Sequence, residues 1–123
     1  MRRFQYMRNG RDAPVLPLTI LSPSANQKFE IEFRVDTGAD MTVVPRSVLF
    51  HLNISTRGEV LIADYDSRTV HCPYHVVSLL LGERLFKDVE VIAADSDTAY
   101  LGLDILNQVK LTHDGPRRTL TLH

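Results

Sequence analysis

From Lys28 to Val35 the chain reads Lys-Phe-Glu-Ile-Glu-Phe-Arg-Val, a strict alternation of polar and apolar residues that constrains the fold more than any other stretch. Phe29, Ile31, Phe33 and Val35 fall on one side of an extended chain and their neighbours on the other. A helix would scatter them, so the segment is a strand with one buried face. Val15 to Leu21 is a shorter apolar run, and Ser22-Pro23-Ser24-Ala25-Asn26-Gln27 between the two supplies the turn formers of a hairpin.

The same pattern of short runs and turns continues. Met41 to Val44 predicts a strand ended by Pro45, and Arg46 to Leu52 a short helix or turn. Gly58 to Ala63 and Arg68 to Leu81 predict a second hairpin with the polar tip Asp64-Tyr65-Asp66-Ser67, and Leu85 to Ala93 a further strand after Gly82-Glu83-Arg84. Leu103, Leu106 and Val109 have helical spacing, which predicts a short helix within Tyr100 to Val109. His113-Asp114-Gly115-Pro116 is turn chemistry between Lys110 to Thr112 and Thr119 to Leu122, a final small hairpin. The sum is an all-β domain of short strands with a short helix near the C-terminus. Residues 1–14 read as an N-terminal extension and 15–123 as the domain.

At 123 residues the chain is one domain's worth. Lys and Arg number 14 against 15 Asp and Glu, with no basic block beyond Arg2-Arg3 and Arg117-Arg118, which speaks against nucleic-acid binding by charge. No run approaches the ~20 apolar residues of a membrane span, and the polar residues after Met1-Arg2-Arg3-Phe4 interrupt any signal-like core. The single Cys72 forms no internal disulfide and the histidines lack zinc-site spacing, so no metal is expected and a reducing, cytoplasmic setting is favoured.

The chemistry sits in Asp36-Thr37-Gly38-Ala39-Asp40. Alone, Asp-Thr-Gly is an ordinary turn in which Asp accepts local hydrogen bonds and Gly supplies backbone freedom. Here it lies between two apolar strands, so its carboxylate emerges at the edge of a rigid sheet. Further along comes Leu101-Gly102-Leu103-Asp104-Ile105-Leu106, an apolar-Gly segment leading into the short helix.

Together, the pentad, the later segment and the hairpin between them resemble the retropepsin-like aspartic peptidases, single-domain relatives of the two-lobed pepsins. The resemblance covers the chain from about Val15 onward, and the bacterial members are most similar over Leu101 to Leu122. It implies a closed β-barrel of the acid protease fold, no cofactor, and hydrolysis of a polypeptide by water held between two carboxylates. Carboxylates about 3 Å apart share one proton, so one acts as base and the other as acid. Only one Asp-Thr-Gly exists here, so the resemblance implies a homodimer with Asp36 contributed twice.

The family's roles carry over residue by residue. Asp36 is the catalytic acid and base; Thr37 bonds to the neighbouring loop, and Gly38 presents its N–H to the carboxylate. Ala39 lacks the hydroxyl of pepsin-like enzymes, which removes one bond to the charged form and favours activity nearer neutral pH. Asp40 contacts substrate or an arginine, with Arg8, Arg11 and Arg46 as candidate partners, or is solvated. Leu101, Gly102 and Asp104 form the structural second motif, Asp104 capping the helix or facing solvent. The Gly58 to Val77 hairpin is the candidate flap; Ile62, Ala63, Asp64, Tyr65, Val70 and Val91 line the peptide site from flap and floor.

Three departures stand out. The flap tip has no glycine and carries two acids, Leu103 stands where some viral members have an arginine, and the hairpin before Thr119 means the dimer need not interleave its chain ends. His71 and His75, on one strand face, read as surface residues, and Cys72 as a small apolar filler. The alternative to a peptidase is a binding module that keeps the fold and grips a peptide or protein without cutting it.

Overall fold

Alternation becomes a barrel because each half-buried strand finds two neighbours. The computed structural model describes residues 1–6, 12–63 and 66–123. In chain order the elements are β1 (Arg2–Gln5), β2 (Val15–Leu21), β3 (Lys28–Val35), β4 (Val43–Pro45), α1 (Arg46–His51), β5 (Gly58–Ala63), β6 (Thr69–Leu81), β7 (Arg84–Ala94), β8 (Ala99–Leu101), α2 (Leu103–Leu106), β9 (Leu111–Asp114) and β10 (Thr119–Leu122). The larger sheet runs β2-β3-β8-β4-β7-β6-β5, and an added pairing of β2 with β6 closes its first six strands into a barrel. Closure removes the open edges that such strands would otherwise present. Only β5 hangs outside the ring, paired to β6 alone.

β2 shows how the ring tolerates an awkward residue. It pairs along its whole length with β3, Leu16 facing Phe33 and Leu18 facing Ile31, but meets β6 only from Thr19 onward. Pro17 thus lies where one side of the strand has no ladder, and its missing N–H leaves no central bond unmade.

The barrel interior is apolar. Leu16, Leu18, Ile20, Phe33, Val44, Val77, Leu79, Val91 and Leu101 are fully buried, and Leu49 of α1 and Ile105 of α2 join the same cluster. A separate sheet, β1-β10-β9, covers part of this body, with Phe4 opposite Leu120 and Phe4 packed onto the core. Of the stretch read as an extension, Arg2–Gln5 is therefore strand, Ala13 is buried, and the Pro14 carbonyl accepts the Val35 N–H at 2.9 Å.

The predicted hairpins are present, with β5 spanning Gly58–Ala63 as read. The short helix predicted within Tyr100 to Val109 is present as Leu103–Leu106, while Tyr100 before it belongs to a strand, Ala99–Leu101, buried at Ala99 and Leu101. The reason is Gly102, whose extended backbone (φ −92°, ψ −177°) separates the two elements. Arg46–His51 takes the helical option for its segment.

Phe33 has no exposed surface and stands at the junction of β2, β3 and β8. Phe33→Ala is expected to lower unfolding stability by about 3–5 kcal/mol, read from the urea midpoint at unchanged slope; a loss below about 1 kcal/mol would show that Phe33 is not a packing centre.

Candidate active site

The acidic turn begins where β3 stops. β3 pairs in parallel with β8, Val35 facing Leu101, and the Asp36 N–H continues that ladder to the Leu101 carbonyl at 3.0 Å. β4, which resumes after the turn, pairs with the other side of β8 through Val43 and Tyr100. The strands before and after the turn are therefore held apart by β8 between them. The turn bridges over the end of β8 and cannot collapse into a hairpin.

Within the turn the Gly38 N–H donates to Asp36 Oδ1 at 2.9 Å, and the Ala39 N–H to the Asp36 carbonyl at 3.3 Å. The first bond orients the half-buried carboxyl group. A Cβ at Gly38 would stand 3.2 Å from Asp36 Oδ1, so a side chain there would press on the group being oriented. Thr37, beside it, is exposed.

From Gly102 onward the second motif clamps the turn from behind. The Ala39 carbonyl accepts the Leu103 N–H at 2.8 Å, and the Asp40 carbonyl accepts the Asp104 N–H at 3.2 Å. A Cβ on Gly102 would lie 2.7 Å from the Met41 carbonyl carbon and 2.9 Å from the Ala39 oxygen. Glycine is thus required by close backbone approach rather than by an unusual φ.

Thr42 completes the frame. Wholly buried, it accepts the Gly102 N–H at 3.1 Å on its hydroxyl, which donates to Asp104 Oδ1 at 2.7 Å, while its own N–H reaches Asp104 Oδ2 at 3.0 Å. Asp104 Oδ1 also takes the Ile105 N–H at 2.9 Å. The reading of Asp104 as a cap holds only in part: its carboxylate serves the turn as well as the helix and does not face open solvent. Thr42 escaped the sequence reading. Its signal was a polar residue flanked by Met41 and Val43 at the start of an apolar run.

Other candidates fall elsewhere. Asp40 is exposed and has no ion pair among the described residues, and Arg46, one of its candidate partners, bonds Asp95 at 2.9 Å. Arg8, Arg11, Asp64 and Tyr65 lie outside the described residues. Ile62 and Val70 face one another across β5 and β6, Ile62 half-buried and Val70 exposed, and Ala63 is exposed beside them. Val91 is corrected: it is fully buried in the core. His75 is also corrected. It is buried, with Nδ1 3.1 Å from the Ile54 carbonyl, while His71 remains exposed beside Glu59. A bulky ring partnered by a carbonyl from another segment left no trace in local sequence. Cys72 is half-buried and free.

No group of residues among those described is arranged to hold a metal ion, and no described helix is long and apolar enough to cross a membrane.

Residues 22–108 match the protein family described as "gag-polyprotein putative aspartyl protease", and the chain belongs to that family. No curated protein matches the sequence. Among solved structures, the fold is similar to that of a retropepsin-like aspartic protease from Rickettsia conorii (TM-score 0.69, 19% identity, covering 98% of this chain and 88% of the other). It is also similar to the EIAV protease complexed with the inhibitor HBY-793 (TM-score 0.61, 20% identity, 83% and 92% covered). The foamy viral protease-reverse transcriptase matches over 79% of this chain but only 12% of its own length, at TM-score 0.56 and 21% identity. The fold is thus a retropepsin-like, mostly β barrel with two short helices.

Gly102→Ala is expected to destabilise the protein by about 1–3 kcal/mol through overpacking, and Thr42→Val by about 1–3 kcal/mol through the buried Gly102 N–H left unpaired and one bond to Asp104 Oδ1 lost. Thermal unfolding of each variant checks this; a wild-type midpoint for both would remove the proposed frame.

Proposed function

We propose that the chain is an aspartic endopeptidase, active as a homodimer in which two copies of Asp36 share a proton. The observation that carries this reading is the Asp36 carboxyl, oriented by the Gly38 N–H on a turn fixed by Gly102, Thr42 and Asp104. A merely structural turn has no need of so rigid a mount for an accessible carboxyl group.

In the reaction, the ionised Asp36 takes a proton from water as its oxygen attacks the peptide carbonyl carbon, and the protonated Asp36 of the second copy gives its proton to the carbonyl oxygen. The tetrahedral intermediate then collapses. A proton passes to the leaving nitrogen, the C–N bond breaks, and a carboxylic acid and an amine remain. Thr37, exposed beside Asp36, is the residue placed to bond across to the second turn. The mechanism needs no metal or organic cofactor.

The β5–β6 hairpin is the flap in this reading. Val60 and Ile62 share its half-buried face, and an extended peptide beneath it adds main-chain hydrogen bonds as a strand does. Ile62 and Val70 supply apolar surface, favouring apolar side chains near the cut. Asp40 contacts the substrate backbone.

Cleavage of a mixed peptide library from about pH 4 to 7, at high protein concentration, tests the reading. Asp36→Asn is expected to reduce the rate at least about a hundredfold with an unchanged melting temperature. Equal cleavage by both would assign the activity to another enzyme; a folded, dimeric wild type that cuts nothing would favour a peptide-binding role.

A further inference from the structure

β3 carries its charges on one face, right up to the acidic turn. Phe33 is buried and Val35 packs on the core, so Arg34 between them points to the other side of the sheet, as do Lys28, Glu30 and Glu32 before it. The alternation does not stop at Val35. The Asp36 N–H still continues the β8 ladder to the Leu101 carbonyl at 3.0 Å, so Asp36 emerges on the same side as Arg34. Two residues of strand set their Cα atoms roughly 7 Å apart. An arginine stem is long enough to bring its guanidinium beside a group held at Asp36.

Arg34 differs from the other charged residues of that face. Lys28, Glu30 and Glu32 are exposed, whereas Arg34 is half-buried, set between Val15 of β2 and Tyr100 of β8. The row it begins continues across the sheet through Tyr100, Val43, Ile92 and Tyr74, each beside a buried neighbour on its own strand. Apart from Arg34, that row is apolar or aromatic. Glu32 and Asp36 lie two residues to either side, yet Arg34 has no ion pair or hydrogen bond among the described residues. Asp36 Oδ1 is engaged instead by the Gly38 N–H. A guanidinium that is partly withdrawn from water and unpaired keeps a fork of donors suited to a carboxylate.

We propose that Arg34 determines substrate specificity, pairing with an acidic side chain on a residue next to the bond being cut. The preferred peptides then carry Glu or Asp at that position. In a two-fold dimer each copy brings its Arg34 to its own side of the bond, so the acid is accepted on either side. Side chains of an extended peptide alternate, which lets an acid meet Arg34 while its neighbours meet the apolar surface of Ile62 and Val70. The proposal rests on the peptidase reading and adds the charge that its substrate carries.

Peptides that differ only in a Glu or a Gln set among apolar residues test it, with the full chain near pH 6, where Glu is ionised. Wild type is expected to cut the Glu peptide with a kcat/KM at least about tenfold above that of the Gln peptide. Arg34→Gln is expected to bring the two within about twofold of each other, and Arg34→Lys to keep part of the preference. Circular dichroism confirms the fold of each variant. A wild-type ratio near one overturns the proposal without any variant, so the test holds even if Arg34→Gln fails to fold. A folded Arg34→Gln that slows both peptides alike and leaves their ratio unchanged also overturns it, making Arg34 a group that acts only on Asp36.

Fluorescence anisotropy of the same peptides, labelled, on wild type and on Asp36→Asn separates this proposal from the peptidase reading. Asp36-dependent cleavage with no preference for Glu keeps the peptidase and ends the role of Arg34. A wild type that cuts neither peptide but binds the Glu form at least about tenfold tighter, a difference lost in Arg34→Gln, keeps the acid-binding role and ends the peptidase. No cleavage and equal binding ends both.

Discussion

The structure depends on one buried hydrogen-bond relay, from the Gly102 N–H to the Thr42 hydroxyl to the Asp104 carboxylate. Buried polar groups are costly unless every member is paired, and here each is. The relay joins residues far apart in sequence and converts a flexible turn into a rigid one. Without it, the turn after β3 would be held by main-chain bonds alone, from the Asp36 N–H to the Leu101 carbonyl and from the Leu103 and Asp104 N–H groups to the Ala39 and Asp40 carbonyls, besides its own internal bonds. In the proposed peptidase, rigidity would matter because a proton shared between two carboxyl groups is sensitive to small displacements of either.

Much of the fold was legible because it is local. β3 follows from alternation, the hairpins from turn residues between apolar runs, and the site from Asp36-Thr37-Gly38 between two such runs. What sequence concealed is what depends on distant partners. β8 spans only Ala99–Leu101 and acquires its identity from lying between β3 and β4, so helical spacing further on obscured it. β1 is likewise meaningful only against β10.

Side-chain errors had the same origin. Val91 and His75 sit directly opposite one another on β7 and β6, and both are buried. One was read as a pocket wall and the other as a surface residue, because burial reports what packs above a strand, which the strand itself does not encode. Asp104 was read from its helix alone, though its carboxylate also satisfies a threonine from another part of the chain.

The parallel ladder between β3 and β8 has a consequence in time. Its partners, such as Val35 and Leu101, are separated by most of the domain, and such contacts form slowly because a long loop must close first. The β2–β3 hairpin closes only a short loop and is free to form early. During synthesis, then, Asp36 emerges long before the segment that fixes it. The nascent chain carries the carboxyl group without its geometry, and the turn is complete only once Gly102 and Asp104 have been made.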